Sequence, residues 1–178
     1  MYFKEIIFHK KNLDLSQKTR EITAVRGIIK RNDQFLFIYS GAMGDYMFPG
    51  GGVEKGESHK EALKREIKEE CGIANIVIKD KIGYTIEYNS NDKESYKILK
   101  IKSYYYLVET EDDIGELDLE DYEEKFQLSP TWVKLKRALS ANQQALQNDN
   151  KTLFWTKREM IVLKHIKENE KIVNLVGG

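Results

Sequence analysis

Apolar and polar positions along this chain change rhythm several times, and each change marks an element. Lys4 to His9 reads as a short strand. Two β-rich runs follow, Ile22 to Lys30 (ITAVRGIIK) and Gln34 to Tyr39 (QFLFIY), with Arg31-Asn32-Asp33 as a hairpin turn between them. Tyr46 to Phe48 is a short strand that runs into Gly50-Gly51-Gly52. The period then becomes helical. Leu63, Ile67 and Cys71 form an apolar i, i+4 row, and Lys60, Lys64 and Lys68 form a basic row expected to face solvent. Ser58 with Glu61 makes a capping box, so the helix is expected to begin at His59, and Gly72 is placed to end it. Asn75 to Ile86 and Tyr96 to Glu109 are again β-rich, with Asn89 to Asp92 as the turn between them. Thr110 to Glu124 is acidic and predicts a loop with a short helical piece. Thr131 to Val133 predicts a brief strand. Lys134 to Gln147 and Thr152 to Asn169 predict helices, the second burying Met160, Leu163 and Ile166.

The central helix carries a pattern that a helix alone does not favour. Glu66, Glu69 and Glu70 stand at i, i+3 and i+4, which puts the three carboxylates on one face. Like charges so spaced repel by roughly 0.2–0.5 kcal/mol per pair, and those near the helix C-terminus also oppose the macrodipole. A divalent cation turns this repulsion into attraction, and hard oxygen ligands suit magnesium or manganese. Arg65 lies four residues after Glu61 and four before Glu69, and can pair with either. The three glycines before the helix allow the backbone to approach a ligand closely. The bland alternatives are a solvated, charge-laced helix and a flexible turn, and neither accounts for the spacing of the two together.

Gly51 to Ile73 (GGVEKGESHKEALKREIKEECGI) fits the spacing G-x5-E-x7-R-E-U-x-E-E-x-G-U, with U a bulky aliphatic residue. Gly51, Glu57, Arg65, Glu66, Ile67, Glu69, Glu70, Gly72 and Ile73 fill every fixed position. This stretch resembles the signature box of the Nudix hydrolases, which cleave a nucleoside diphosphate linked to another group. The resemblance implies an α/β fold, a Nudix-type α/β/α sandwich with a mixed β-sheet between helices. It covers about residues 22–166 within a single domain spanning residues 1–178. It also implies a metal site of Glu66, Glu69 and Glu70, with Glu57 in support or holding a further ion and the Gly50 carbonyl as one more ligand. Mg2+ or Mn2+ is the expected cofactor. In the family the general base falls within the box or to a glutamate in a later loop. Here the later candidates are Glu123 and Glu124, with Glu123 favoured, although Tyr122 to Lys125 reads equally well as a solvated turn. The catalytic set is thus Glu66, Glu69, Arg65 and Glu123.

Composition narrows the remaining choices. The chain has 178 residues, 40% hydrophobic, with 29 basic residues balancing 29 acidic ones. The length suffices for one globular core. The zero net charge argues against a dedicated nucleic-acid surface, though not against a nucleotide substrate. The single cysteine, Cys71, lies on the apolar row, excludes an internal disulfide and suits a reducing cytoplasm. The first residues lack the apolar core of a signal peptide, and no run is long enough to span a membrane. The expected partners are therefore a small-molecule nucleotide and, as a candidate, a second copy in a homodimer, with no nucleic acid and no membrane.

Arg26 sits mid-strand between apolar neighbours, where it either meets a substrate phosphate or pairs with an acid. Tyr104-Tyr105-Tyr106 offers a base-stacking face or ordinary strand packing. His59 reads as solvent-facing, and Trp132 and Trp155 as core or rim residues. No proline or tyrosine mark beyond the box singles out a substrate. A nucleoside triphosphate or related nucleotide is the default, and a catalytically silent, nucleotide-sensing module is the alternative.

Overall fold

The run QFLFIY has no polar face, and the fold explains why: it is a central strand buried on both sides. A computed structural model describes residues 2–91, 95–119, 121, 125–147 and 154–169. Its elements are β1 (Phe3–Phe8), β2 (Thr19–Arg31), β3 (Gln34–Ser40), β4 (Asp45–Met47), α1 (His59–Cys71), β5 (Val77–Ser90), β6 (Ile98–Glu109), β7 (Leu128–Val133), α2 (Leu135–Gln147) and α3 (Phe154–Glu168). The seven strands form one sheet in the order β1-β5-β6-β2-β3-β4, with β7 beside β3. β1 runs parallel to β5 and β2 parallel to β6, while the other pairs are antiparallel. The sheet is therefore mixed, as expected.

A core lies on each face. Phe35 and Phe37 of β3 join Ile28, Tyr105 and Phe48 beneath α2 and α3. Leu36 and Ile38 join Val25, Ile29 and Val108 beneath α1. The apolar row of α1 is buried there, with Leu63, Ile67 and Cys71 all at 0% exposure. Burying a side chain of this size contributes roughly 1.5–3 kcal/mol, so two of them outweigh the carboxylate repulsion along the same helix.

The ends of α1 are tied down. Ser58 and Glu61 form the capping box, and Gly72 closes the helix at φ 67° with its N–H on the Lys68 carbonyl. The acidic segment 111–119 then covers the C-terminus: the N–H groups of Gly115 and Asp118 donate to the Cys71 and Glu69 carbonyls at 3.0 and 2.9 Å. A Cβ on Gly72 would lie 2.3 Å from the Gly115 backbone, so no larger residue fits this cap.

Several boundaries differ from the expectation because backbone pairing, not hydropathy, sets them. β2 begins at polar Thr19, which pairs with Ile98. β5 continues to Ser90, taking in the first two residues of the expected turn, and β6 begins at Ile98. β7 reaches back to Leu128 and pairs with β3 through Pro130. Segment 111–119 has no regular structure. Glu123 and Glu124, with part of the expected loop, lie outside the described residues. Among the described residues no helix is long and apolar enough to cross a membrane.

Candidate functional site

Arg65 organises the carboxylates of α1. Its guanidinium donates to both Glu57 oxygens (Nε–Oε1 3.0 Å, Nη2–Oε2 3.1 Å), to Glu66 Oε1 (2.9 Å), to Glu69 Oε2 (3.1 Å) and to the Gly52 carbonyl (2.9 Å). It thus pairs with Glu69 as one reading of the sequence allowed. It does not pair with Glu61, whose carboxylate is committed to the Ser58 N–H in the cap. These contacts hold the Glu57 carboxyl below its ordinary range, chiefly through the Arg65 hydrogen bond, and raise the Arg65 pKa further. Glu66 behaves oppositely: burial pushes its carboxyl up, against the pull of Arg65. Among the described residues no three acidic, imidazole or thiol groups meet in a ready metal cage; the guanidinium stands between Glu57, Glu66 and Glu69 instead.

The fourth carboxylate turns the other way. Glu70 is buried, and its Oε2 accepts the Gly50 N–H at 2.6 Å. The Gly50 carbonyl accepts from Arg26 Nη1, and the Phe48 carbonyl accepts from the same nitrogen at 3.5 Å. Gly50 has φ 131°, and a Cβ there would fall 2.2 Å from the Val25 carbonyl oxygen, so only glycine fits. Gly51 faces the helix, and a Cβ on it would lie 2.4 Å from the Glu66 carboxyl group. Gly51→Ala is therefore expected to fold but to push Glu66 aside. Turnover should fall about 10²-fold, the scale set by a 1 Å misplacement, with the melting temperature nearly unchanged. Parallel assays of rate and melting check this.

Behind the glycines runs a buried polar network that the sequence reading missed. Arg158 donates to Glu159 Oε1 through Nε and Nη2 (2.8 and 2.7 Å) and to Glu87 Oε2 through Nη1 (3.0 Å). Glu87 Oε1 lies 3.0 Å from His9 Nε2, and Glu159 Oε2 accepts the Phe48 N–H at 3.3 Å. The network joins α3 and β5 to the strand that delivers the glycine loop. Burial pushes the Glu159 carboxyl up; it presses Glu87 the same way, but Arg158 and His9 outweigh it and hold Glu87 low. The available signal was the position of Glu159, in register with Trp155, Val162 and Ile166 on the packed side of α3.

Between these layers opens a cleft of about 280 Å³, whose lining includes Arg26, Gly50 to Gly52, Glu70, Leu128, Trp155 and Arg158. Arg26 Nε is buried without a partner among the described residues. Trp155, partly buried against the core, lines the cleft, and its Nε1 donates to Asp45 Oδ2 at 3.0 Å. Trp132 instead packs near α1 with the Arg31 guanidinium 4.8 Å from its ring centre. His59 is not simply solvent-facing: it is partly buried against Tyr104 and within 2.8 Å of the Tyr106 hydroxyl. The tyrosine run splits, with Tyr105 buried beneath α2 and α3 and Tyr104 and Tyr106 on the α1 side.

Asp45 gives a pH prediction. It is buried, takes a second hydrogen bond from Thr156 Oγ1 at 2.6 Å, and has an unpartnered Oδ1 among the described residues. Burial raises its pKa above the ordinary value. A raised folded-state pKa means its stabilisation is complete below about pH 4 and is lost as pH rises through the raised value. The stability of the wild type relative to Asp45→Asn should therefore fall as pH rises above about 4, as read from urea midpoints.

A family model for the NUDIX domain matches residues 20–156. The chain belongs to the NUDIX domain family. It is 33% identical over 100 residues to a protein named RNA pyrophosphohydrolase from a Nitratiruptor species. That match takes in 54% of this chain and 64% of the relative, so the chain spans just under two thirds of the relative's length. The MutT protein of Methanosarcina mazei Go1 has a similar structure, with TM-score 0.55 and 22% identity, covering 85% of this chain and 96% of that one. A UDP-X diphosphatase structure gives TM-score 0.54 and 13% identity, over 85% and 64%. At these identities the structural likeness is one of fold, the NUDIX α/β sandwich with a mixed sheet. NUDIX hydrolases act on nucleoside diphosphate-linked compounds and generally use divalent metals such as Mg2+.

Proposed function

We propose that this chain hydrolyses a phosphoanhydride bond in a nucleoside diphosphate linked to another group, with a nucleoside triphosphate or related nucleotide as substrate. The observation that carries the reading is the pair of carboxylate groups flanking the glycine loop: Glu57, Glu66 and Glu69 gathered on Arg65, which also holds the Gly52 carbonyl, and Glu70 on the Gly50 N–H at a cleft lined by Arg26 and Trp155. The donor set fits Mg2+ or Mn2+: the side-chain donors are carboxylates, and Gly51 leaves room for Glu66 to press against the backbone. Glu66, Glu69 and Glu70 would hold the cation, with Glu57 and the Gly50 carbonyl in support. When bound, it neutralises phosphate charge and lowers the pKa of a water.

The chain's own residues do the rest. Arg65 keeps Glu66 and Glu69 in fixed rotamers while the site waits for substrate. Arg26, which lines the cleft, would meet a phosphate oxygen there, and Trp155 with Leu128 would offer an apolar wall for a base. Glu66, half-buried and raised, and Glu69, more open, are the box candidates for accepting the proton of the attacking water. Glu123 is the proposed alternative base.

A second reading, in which the linked group is an RNA chain, follows from the relative named RNA pyrophosphohydrolase. The test is phosphate or pyrophosphate release, with Mg2+ and then Mn2+, across nucleoside triphosphates, nucleotide sugars, dinucleoside polyphosphates and 5′-triphosphorylated RNA. Metal-dependent release from one class supports the hydrolase reading and names the substrate. No release from folded protein shifts the assignment to a nucleotide-sensing module.

A further inference from the structure

We infer that the open face of β1, β5 and β6 is a docking surface for a single-stranded RNA chain. Alternation fixes what that face carries. Phe3 and Ile7 of β1 point into the core, so Tyr2, Lys4, Ile6 and Phe8 point the other way. The register sets Lys4 beside Tyr84, Phe8 beside Tyr88, and Tyr84 opposite Tyr104. This is the side of the sheet on which α1 lies, but α1 packs mainly on β2 and β7 and meets β6 at Val108, Tyr106 and, through His59, Tyr104. Among the described residues nothing covers the remainder: Tyr2, just before the edge strand, and Ile6 and Phe8 on it are 58%, 51% and 47% exposed.

Rings and ammonium groups alternate across this face. Lys102 Nζ stands 4.5 Å from the Tyr84 ring centre and 4.8 Å from that of Tyr104. Lys81 lies 5.3 Å from Tyr104, and Lys4 6.0 Å from Tyr84. Tyr84 and Tyr104 are themselves 5.8 Å apart, and Phe8 stacks on Tyr88 at 5.1 Å. Flat rings accept bases, and lysines on flexible stems accept the phosphates between them. A base laid on Tyr84 or Tyr104 displaces the ammonium sideways, towards the phosphate that flanks that base. A protein partner has no comparable need for cations alternating with ring faces.

The face also leads to the glycine loop. The Val53 N–H donates to the Thr23 carbonyl, and Thr23 pairs with Lys102. Two strand spacings, about 10 Å, thus separate the loop from Lys102. A chain lying on the tyrosines can reach the carboxylates with its end. This extends the RNA reading above, but the surface is testable without turnover. The zero net charge of the whole chain conceals the local excess of lysine.

The test is fluorescence anisotropy with 3′-labelled oligouridylate and oligothymidylate of about twelve nucleotides, each with a 5′-hydroxyl so that nothing can be hydrolysed, in chelator. The surface predicts binding that weakens with salt at a log–log slope of about −2, from roughly three lysine–phosphate contacts. Tyr84→Ala should weaken binding about tenfold. Lys102→Ala should flatten the slope by about 0.7. Both should leave mononucleotide turnover unchanged. Binding of the oligouridylate with these responses supports the surface, and binding of the oligothymidylate alone overturns RNA as its occupant. No binding, a wild-type slope near zero, or indifference to both substitutions overturns it. So does a dimer in sedimentation that Tyr84→Ala dissolves while no oligonucleotide binds. The wild-type slope decides even if a variant does not fold.

Discussion

Glu69→Gln is expected to lower turnover by about 10²–10⁴-fold, the range associated with loss of a positioned acid–base group, while the melting temperature moves by only a degree or two. The asymmetry follows from the geometry. The Glu69 side chain is 37% exposed and shares Arg65 with Glu57 and Glu66. When it becomes neutral, the guanidinium keeps two carboxylates and the Gly52 carbonyl, and exposed ion pairs contribute about 0–1 kcal/mol. Removing a negative charge from the last turns of α1 even relieves repulsion with Glu66. Stability thus has little to lose, whereas the chemistry loses a charge. Steady-state kinetics with Mg2+ and a thermal melt check both halves, and unchanged turnover would remove Glu69 from the proposed catalytic set.

Arg158→Met is expected to show the reverse weighting, with a stability loss of about 3–5 kcal/mol. Arg158 is 2% exposed and holds both Glu87 and Glu159, each at 0%. Methionine matches much of its volume but leaves two carboxylates in an apolar interior, one with only His9 and the other with only the Phe48 N–H among the contacts described above. Each must then take up a proton to stay buried. The deficit should therefore be larger at pH 8 than at pH 5, because protonation at the lower pH is easily met. Urea unfolding at the two values measures it. Adding Glu87→Gln and Glu159→Gln should recover part of the loss. A deficit under about 1 kcal/mol at both pH values would show that the network contributes no more than a surface ion pair.

What could be read from the chain divides along physical lines. The box helix was legible to the residue because caps, periodicity and carboxylate spacing are local properties of consecutive residues. QFLFIY announced a strand, but only the second core beneath α1 explains why it has no polar side. The ends of β2 and β7 were not legible, since Thr19 and Leu128 are held by partners far away in sequence, and polar Ser90 is kept in β5 by its pairing with Ile98. The same holds within the site. That Arg65 would pair with Glu69 could be read from their i, i+4 spacing. Its grip on Glu57 depends on how the glycine loop folds back. Glu87, His9 and Arg158 come from three distant segments, and no spacing rule connects them. Arg26 could be singled out as anomalous, but the object of its attention, two backbone carbonyls, carries no sequence signal at all.

The burial of Cys71 has a practical corollary. Its thiol sits at 0% exposure on the underside of the helix that bears the carboxylates, and burial, with Glu70 nearby, pushes its pKa well up. Alkylating reagents need an accessible thiolate, so the native fold should shield it, and modification should wait for the helix to lift from the sheet. The rate of labelling then becomes a clock for the opening of this helix. Anything that fastens the helix down, cation or nucleotide, should slow that clock, which gives the protein an intrinsic footprint of ligand binding at its only cysteine.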